Sequence, residues 1–126
     1  MGNKLVRKKV LIIDDEEYLR QILVDVMDIN DIDSIAVDEG QKAIEIYKQE
    51  KNEIGLVLID LILPKETGID TYNKLCKINP NVKVIFMSGL GDKETLQTIP
   101  NYNEFIFLKK PFSMDEVTEK VVLSLS

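Results

Sequence analysis

The feature that most constrains the fold is a regular alternation between short apolar runs and segments with helical periodicity. The apolar runs are rich in β-branched residues and lie at Val10–Ile13, Ile35–Val37, Leu56–Ile59, Val82–Met87 and Phe105–Leu108. Between and after them, apolar residues recur every three or four positions, as in amphipathic helices. Strands that alternate with helices predict an α/β domain with a parallel, doubly wound sheet covered by helices on both faces.

Composition restricts the class of protein. The chain has 126 residues, of which 44% are hydrophobic and 30% charged, and this is typical of one soluble globular domain. Its net charge of −6 argues against direct binding of nucleic acid. The run Val10–Ile13 is too short for a signal peptide or a membrane span, and the single cysteine, Cys76, fits a reducing compartment. We therefore expect a cytoplasmic domain without membrane contact.

The chain contains no histidine. This excludes a Ser-His-Asp or Cys-His catalytic arrangement and any zinc site that uses histidine. Any chemistry must therefore depend on carboxylates, hydroxyls and lysines.

Polar residues of these types follow the predicted strands. Asp14 and Asp15 follow the first strand, Asp60 the third, Ser88 the fourth and Lys110 the fifth. Ligands of doubly wound sheets bind at the carboxyl ends of the strands, so these side chains should converge. Clustered carboxylates repel one another and favour a bound cation, and an all-oxygen ligand set suits Mg²⁺. A carboxylate beside Mg²⁺ is a suitable nucleophile for a phosphoryl group.

Four blocks containing these residues resemble the signature of the response-regulator receiver domain. They occur in the order and at the intervals typical of that family, and the resemblance extends over nearly the whole chain. The blocks are Leu11–Glu16, Leu58–Pro64 with Gly68, Phe86–Gly89 and Lys110–Phe112. The resemblance implies a flavodoxin-like (βα)5 fold, with a five-stranded parallel sheet in the order 2-1-3-4-5.

The resemblance also implies roles for the acidic residues. Asp60 would be the phosphoacceptor. Asp15, Asp60 and the backbone carbonyl of Ile62 would bind Mg²⁺ directly, and Asp14 would act mainly through water. Acidic residues at the start of a helix can also serve only to interact favourably with the helix dipole. That interpretation applies better to Glu16 and Glu17.

The remaining roles fall on residues after the fourth and fifth strands. Ser88 would hydrogen-bond the phosphoryl group, and Lys110 would pair with it, since the family's lysine directly precedes proline. The Lys110–Pro111 bond is expected to be cis. Phe107 would be the aromatic switch residue that turns inward with Ser88, although a buried strand phenylalanine also needs no function beyond packing.

The segment from Thr98 to Phe105 departs from the family pattern. Pro100 should end the fourth helix early, because proline lacks the N–H that a helix requires. In the family, helix 4, strand 5 and helix 5 form the output face for a downstream partner or attached domain. Tyr102 and Phe105 either contribute to a modified docking surface or fill the space left by the short helix, and packing is favoured.

Two apolar positions bear on the lifetime of an acyl phosphate. The family tunes the access of water from positions that correspond to Ile62 and Leu90. Neither side chain can orient a water molecule by hydrogen bonding. We therefore expect slow self-dephosphorylation.

Together these observations predict a receiver domain over residues 1–126, with its core at about 8–123 and no output domain in the chain. The phosphoryl group would come from a histidine kinase or a histidine phosphotransfer protein. The domain would act as a signalling switch that catalyses only its own phosphorylation and dephosphorylation, as a monomer or weak homodimer. The alternatives are a pseudo-receiver that binds partners without phosphorylation and a Mg²⁺-dependent phosphatase with an aspartyl nucleophile.

Overall fold

Five parallel strands form a single sheet in the computed structural model, which describes residues 8–89 and 91–126. The strands are β1 (Lys9–Ile13), β2 (Ser34–Val37), β3 (Ile54–Asp60), β4 (Val84–Ser88) and β5 (Ile106–Lys109). Their spatial order is β2-β1-β3-β4-β5, and every neighbouring pair is parallel. Both the predicted fold class and the predicted strand order are confirmed.

Helices cover both faces of this sheet. They are α1 (Glu17–Ile29), α2 (Gly40–Glu50), α3 (Gly68–Ile78), α4 (Lys93–Gln97) and α5 (Met114–Leu125), with a short 3-10 helix at Tyr102–Glu104. No helix within the described part of the chain is long and apolar enough to cross a membrane.

The sheet separates two hydrophobic cores, because alternate residues of a strand point to opposite faces. Leu11 and Ile13 of β1 pack in the core beneath α2 and α3, whereas Val10 and Ile12 pack in the core beneath α1 and α5. All four side chains are fully buried. Continuous burial on both faces explains the unbroken apolar runs of the sequence. The parallel pairing of the strands brings their carboxyl ends to a common edge.

The fourth helix is short, as Pro100 predicts. The spacing of apolar residues before Pro100 predicts a helix over Lys93–Ile99, and in the structure α4 ends two residues earlier, at Gln97. The helical conformation is disfavoured for the residue before a proline. Asn101, which follows Pro100, has a left-handed φ of 61°. Ile99 nevertheless lies buried in the α2–α3 core, so the shortened segment still contributes to packing.

Phe105 packs against aromatic residues of α3 and β4. Its ring packs edge-to-face against Tyr72 of α3 and Phe86 of β4, with ring centroids 5.2 and 5.3 Å apart. Tyr72 and Phe86 contact each other in the same way at 5.7 Å. Phe105 therefore has the packing role that the sequence favoured, while the side chain of Tyr102 lies outside the described part of the structure.

Candidate functional site

The carboxyl edge of the sheet brings together the polar residues that follow the strands. Asp60 is the last residue of β3, the central strand, which lies between β1 and β4. Asp14 directly follows β1, and Lys110 directly follows β5. Asp60 is paired in register with Met87, so Ser88 at the end of β4 comes next along the neighbouring strand. This edge forms the candidate site.

Three carboxylates converge there. Asp14, Asp15 and Asp60 each offer an oxygen, and these oxygens all lie within 4.8 Å of one another. Asp14 is completely buried and Asp60 is 5% exposed, whereas Asp15 is exposed to solvent. The oxygen-only donor set and the open side at Asp15 fit a hard divalent cation that retains water ligands, as Mg²⁺ does.

The environment of Asp14 reflects the concentration of negative charge. Burial raises the pKa of its carboxyl group to about 6, against 3.8 for an ordinary aspartate. The backbone N–H of Glu16 donates to Asp14 Oδ1 at 2.8 Å and lowers the pKa, while the charge of Asp60 raises it again. The carboxylate is therefore costly to keep charged unless a cation is close.

Lys110 provides a cation within the protein. Its Nζ donates to Asp60 Oδ2 at 2.9 Å and to Asp14 Oδ2 at 3.2 Å. Burial alone lowers the pKa of the ammonium group, but the hydrogen bond to Asp60 and the charges of both carboxylates outweigh it, so the pKa is raised. Lys110 is consequently held as a bridge between the two buried acids.

Backbone contacts fix the positions of Asp60 and Lys110. The N–H of Ile62 donates to Asp60 Oδ1 at 3.2 Å, and the N–H of Lys110 donates to the carbonyl of Ser88 at 2.6 Å. The Lys110–Pro111 peptide bond is cis, as expected from the resemblance. Gly68, at the start of α3, approaches the chain so closely that a Cβ there would overlap the carbonyl oxygen of Asp60. Glycine is therefore required at position 68.

Ser88 and Phe107 lie beside this cluster. Ser88 is buried at the end of β4. The backbone N–H of Lys110 donates its hydrogen bond to the backbone carbonyl of Ser88 and not to the hydroxyl. The partly buried ring of Phe107 stacks on the fully buried Phe86, with centroids 5.8 Å apart and an interplanar angle of 26°. The hydroxyl of Ser88 can therefore rotate toward a new acceptor without loss of that backbone contact, and Phe107 continues the aromatic contacts made by Phe105.

Two contacts were not foreseen from the sequence. Arg20 of α1 donates from Nη1 to the carbonyl oxygen of Asp14 at 2.8 Å, and the carboxylate of Glu16 lies 3.6 Å from Lys110 Nζ. Arg20 looks like an ordinary surface residue of a helix, and no motif marks it. Glu16 precedes α1 and Glu17 begins it, as expected for acids near a helix N-terminus.

Comparison with known proteins identifies relatives of the same organisation. Residues 10–122 match the family model of the response regulator receiver domain. The chain is 32% identical to the chemotaxis protein CheY of Thermotoga maritima, covering 89% of this chain and 92% of the relative. It is 27% identical to the sporulation initiation phosphotransferase F of Bacillus subtilis, with 93% of each chain covered.

Solved structures share the fold. A response regulator receiver domain protein from Clostridium thermocellum superposes with a TM-score of 0.84 at 24% identity, covering 94% of each chain. The receiver domain of the Francisella response regulator 1452 superposes with a TM-score of 0.78 at 29% identity, covering 94% of this chain and 96% of that one. The topology of the sheet is therefore that of experimentally determined receiver domains.

Proposed function

The chain belongs to the response regulator receiver domain family, and on that premise we propose that Asp60 accepts a phosphoryl group from a phosphohistidine in a two-component system. The observation that carries this proposal is the bridge from Lys110 to two buried carboxylates beside an exposed third. The donor would be a histidine kinase or a histidine phosphotransfer protein, since the chain itself has no histidine.

The acidic residues are suited to hold the Mg²⁺ that this chemistry requires. Asp15, Asp60 and the backbone carbonyl of Ile62 would be direct ligands, and Asp14 would act mainly through water. The raised pKa of Asp14 supports this assignment, because a buried carboxylate that resists ionisation gains most from a nearby cation. When bound, Mg²⁺ supplies positive charge that offsets the negative charge of the carboxylates and of the phosphoryl oxygens.

Asp60 is the nucleophile of the transfer. One of its carboxylate oxygens forms a bond to phosphorus while the phosphorus–nitrogen bond of phosphohistidine breaks, and the electron pair leaves with the imidazole nitrogen. Lys110, now 2.9 Å from Asp60 Oδ2, would pair with a phosphoryl oxygen as that carboxylate becomes an acyl phosphate. The neighbouring hydroxyl of Ser88 would donate to another phosphoryl oxygen.

Phosphorylation would then shift an existing conformational equilibrium. Movement of Ser88 toward the phosphoryl group opens space on the Phe107 side of β4, and Phe107 would turn inward. The surface formed by α4, β5 and α5 would report this change to a downstream protein or an attached domain. The shape of this face is determined in part by the short α4 and by the packing of Phe105 against Phe86.

Intact mass spectrometry tests the proposed function. Incubation with acetyl phosphate and Mg²⁺ should add one phosphoryl group to the chain, and EDTA should prevent the addition. No adduct in Mg²⁺, together with no response to beryllofluoride, would favour a pseudo-receiver. Rapid turnover of organic phosphates would favour a phosphatase.

Mg²⁺ affinity is expected to fall as the pH is lowered through about 6, the pKa of Asp14 in the metal-free protein. Protonated Asp14 no longer contributes charge to the site, so affinity should fall by up to about tenfold per pH unit below that value and level off at the affinity of the site with a neutral residue 14. Because the folded-state pKa is raised above 3.8, proton uptake at Asp14 stabilises the metal-free fold as the pH falls through about 6. Calorimetric titration from about pH 8 to about pH 5 measures the affinity.

The control for this pH dependence is Asp14→Asn. This variant lacks the titrating group, so its weaker Mg²⁺ affinity should vary much less over the same range. Equal pH dependence in the two proteins would contradict the assignment to Asp14.

Replacing Ile62 by Asn is expected to accelerate loss of the phosphoryl group. The Ile62 side chain is 49% exposed and its N–H contacts Asp60, so position 62 lies at the mouth of the site, while Leu90 lies outside the described residues. An amide there can orient an attacking water, and one such hydrogen bond corresponds to about a tenfold change in rate. Release of inorganic phosphate from the purified phosphoprotein measures this rate. Equal rates in both proteins would refute the expectation.

A further inference from the structure

A cavity lies at the opposite edge of the sheet from Asp60. It has a volume of about 330 Å³ and lies where β3 begins and where α2, α3 and α5 end. Sites for small ligands typically occupy about 300–1,000 Å³. Gly55 lines the cavity, and Asp60 lies five positions further along β3, a distance of about 17 Å along the strand.

The rim of this cavity is positively charged. It carries Lys8, Lys51 and Lys83, and no acidic residue is among the described residues that line it. None of the three lysines forms an ion pair with a described carboxylate, whereas the adjacent Lys9 is paired with Glu50 at 3.0 Å. The cluster is notable in a chain of net charge −6, and it attracts anions.

The interior of the cavity carries polar groups held in place. Tyr47 is almost completely buried, and its hydroxyl accepts a hydrogen bond from Asn79 Nδ2 at 3.0 Å, which leaves its proton available to donate. Asn79 is fixed in turn, since its Oδ1 accepts from the N–H of Asn81 at 3.1 Å. The Oγ of Ser124 is buried and has no hydrogen-bond partner among the described residues.

Gly55 allows the two ends of the described chain to meet at this cavity. A Cβ at Gly55 would lie 2.7 Å from Lys8 Cβ and 3.0 Å from Leu125 Cδ2. Lys83 makes a second contact with α5, because its Nζ donates to the carbonyl of Ser124 at 2.9 Å. Lys8 and Lys83 are thus held at the cavity by contacts with its walls.

We propose that this cavity binds a small polyanion of the phosphate-monoester class. The lysines would neutralise the phosphate, and the hydroxyl of Tyr47 would donate a hydrogen bond to the ligand. This site is separate from the carboxylate cluster, which repels anions when no cation is bound. The proposal therefore does not depend on phosphorylation of Asp60.

Nuclear magnetic resonance titration of the ¹⁵N-labelled chain in EDTA tests this site. The probes are inorganic phosphate and adenosine monophosphate. We expect saturable shifts of the amide signals of Gly55 and Asn81, with little change at Asp60 and Gly89. Tighter binding of adenosine monophosphate would identify a monoester as the preferred ligand, and tighter binding of phosphate would identify the free ion.

Variants Lys51→Gln and Lys83→Gln should each weaken binding about tenfold, the effect of losing one charge-assisted contact. The matched control is Lys77→Gln, which removes the same charge from an exposed position outside the cavity and should leave binding unchanged. Three results would overturn the proposal: no saturation with either probe, shifts confined to the Asp60 edge, or equal weakening by Lys77→Gln.

Discussion

Replacing Asp60 by Asn should abolish phosphorylation of the chain by acetyl phosphate. The amide keeps the size of the carboxylate and an oxygen that can still accept from the N–H of Ile62, now 3.2 Å from Asp60 Oδ1. It supplies no anionic oxygen to attack phosphorus, so the extent of modification should fall from stoichiometric to none. Intact mass spectrometry in Mg²⁺ measures the extent directly.

The matched control for this loss is Asp115→Asn. Asp115 is an exposed acid in the first turn of α5, and its replacement makes the same chemical change away from the carboxylate cluster. The control should be phosphorylated as fully as the original protein. If the Asp60→Asn variant were phosphorylated to the same extent as the control, another residue would be the phosphoacceptor.

Replacing Lys110 by Met should destabilise the metal-free protein by about 3 kcal/mol, because removal of one partner leaves uncompensated buried charge. Lys110 Nζ contacts Asp14, which is completely buried, and Asp60, which is nearly so. Methionine retains most of the volume of the side chain, so little of the loss should arise from a cavity. The free energy of unfolding in urea, measured in EDTA, gives this difference.

Mg²⁺ should restore part of the stability that Lys110→Met removes, because a bound cation offsets the same carboxylates. Lys109→Met is the control: Lys109 is exposed and has no carboxylate partner among the described residues. Its replacement should change the free energy of unfolding by less than about 0.5 kcal/mol. Equal stability of the Lys110→Met and Lys109→Met variants in EDTA would show that the bridge is not a structural requirement.

The fold was predictable because its determinants repeat along the chain. Runs such as Val10–Ile13 require burial on both faces, and the segments between them have the period of a helix. Errors fell at the ends of elements: β3 begins at Ile54 rather than Leu56, and β4 begins at Val84 rather than Val82. Strand ends depend on where neighbouring strands pair, and local composition does not encode this.

The convergence of Asp14, Asp60 and Lys110 was predictable for a topological reason, since the ends of parallel strands meet at one edge. The contacts that support the site were not. The need for Gly68 arises from its approach to the carbonyl of Asp60, and Arg20 reaches the carbonyl of Asp14 across a turn. Both contacts join residues that are close in the sequence, and each depends on the path of the turn between them, which residue type alone does not predict.

The absence of histidine has a consequence for partners. A chain with no histidine cannot carry the phosphohistidine that would donate to Asp60, so that group must come from another domain or chain. Part of the negative charge of the chain is also concentrated at one place, because three of its carboxylates lie in one site.

Chemical identification of the phosphorylated residue tests the central claim most directly. The chain is phosphorylated with acetyl phosphate in Mg²⁺ and reduced with borohydride, which converts an aspartyl phosphate to homoserine. Peptide mass mapping then locates the converted residue. We predict homoserine at position 60 and at no other aspartate. Homoserine at a different position, or none after an adduct has been observed, would contradict the assignment of Asp60 as the phosphoacceptor.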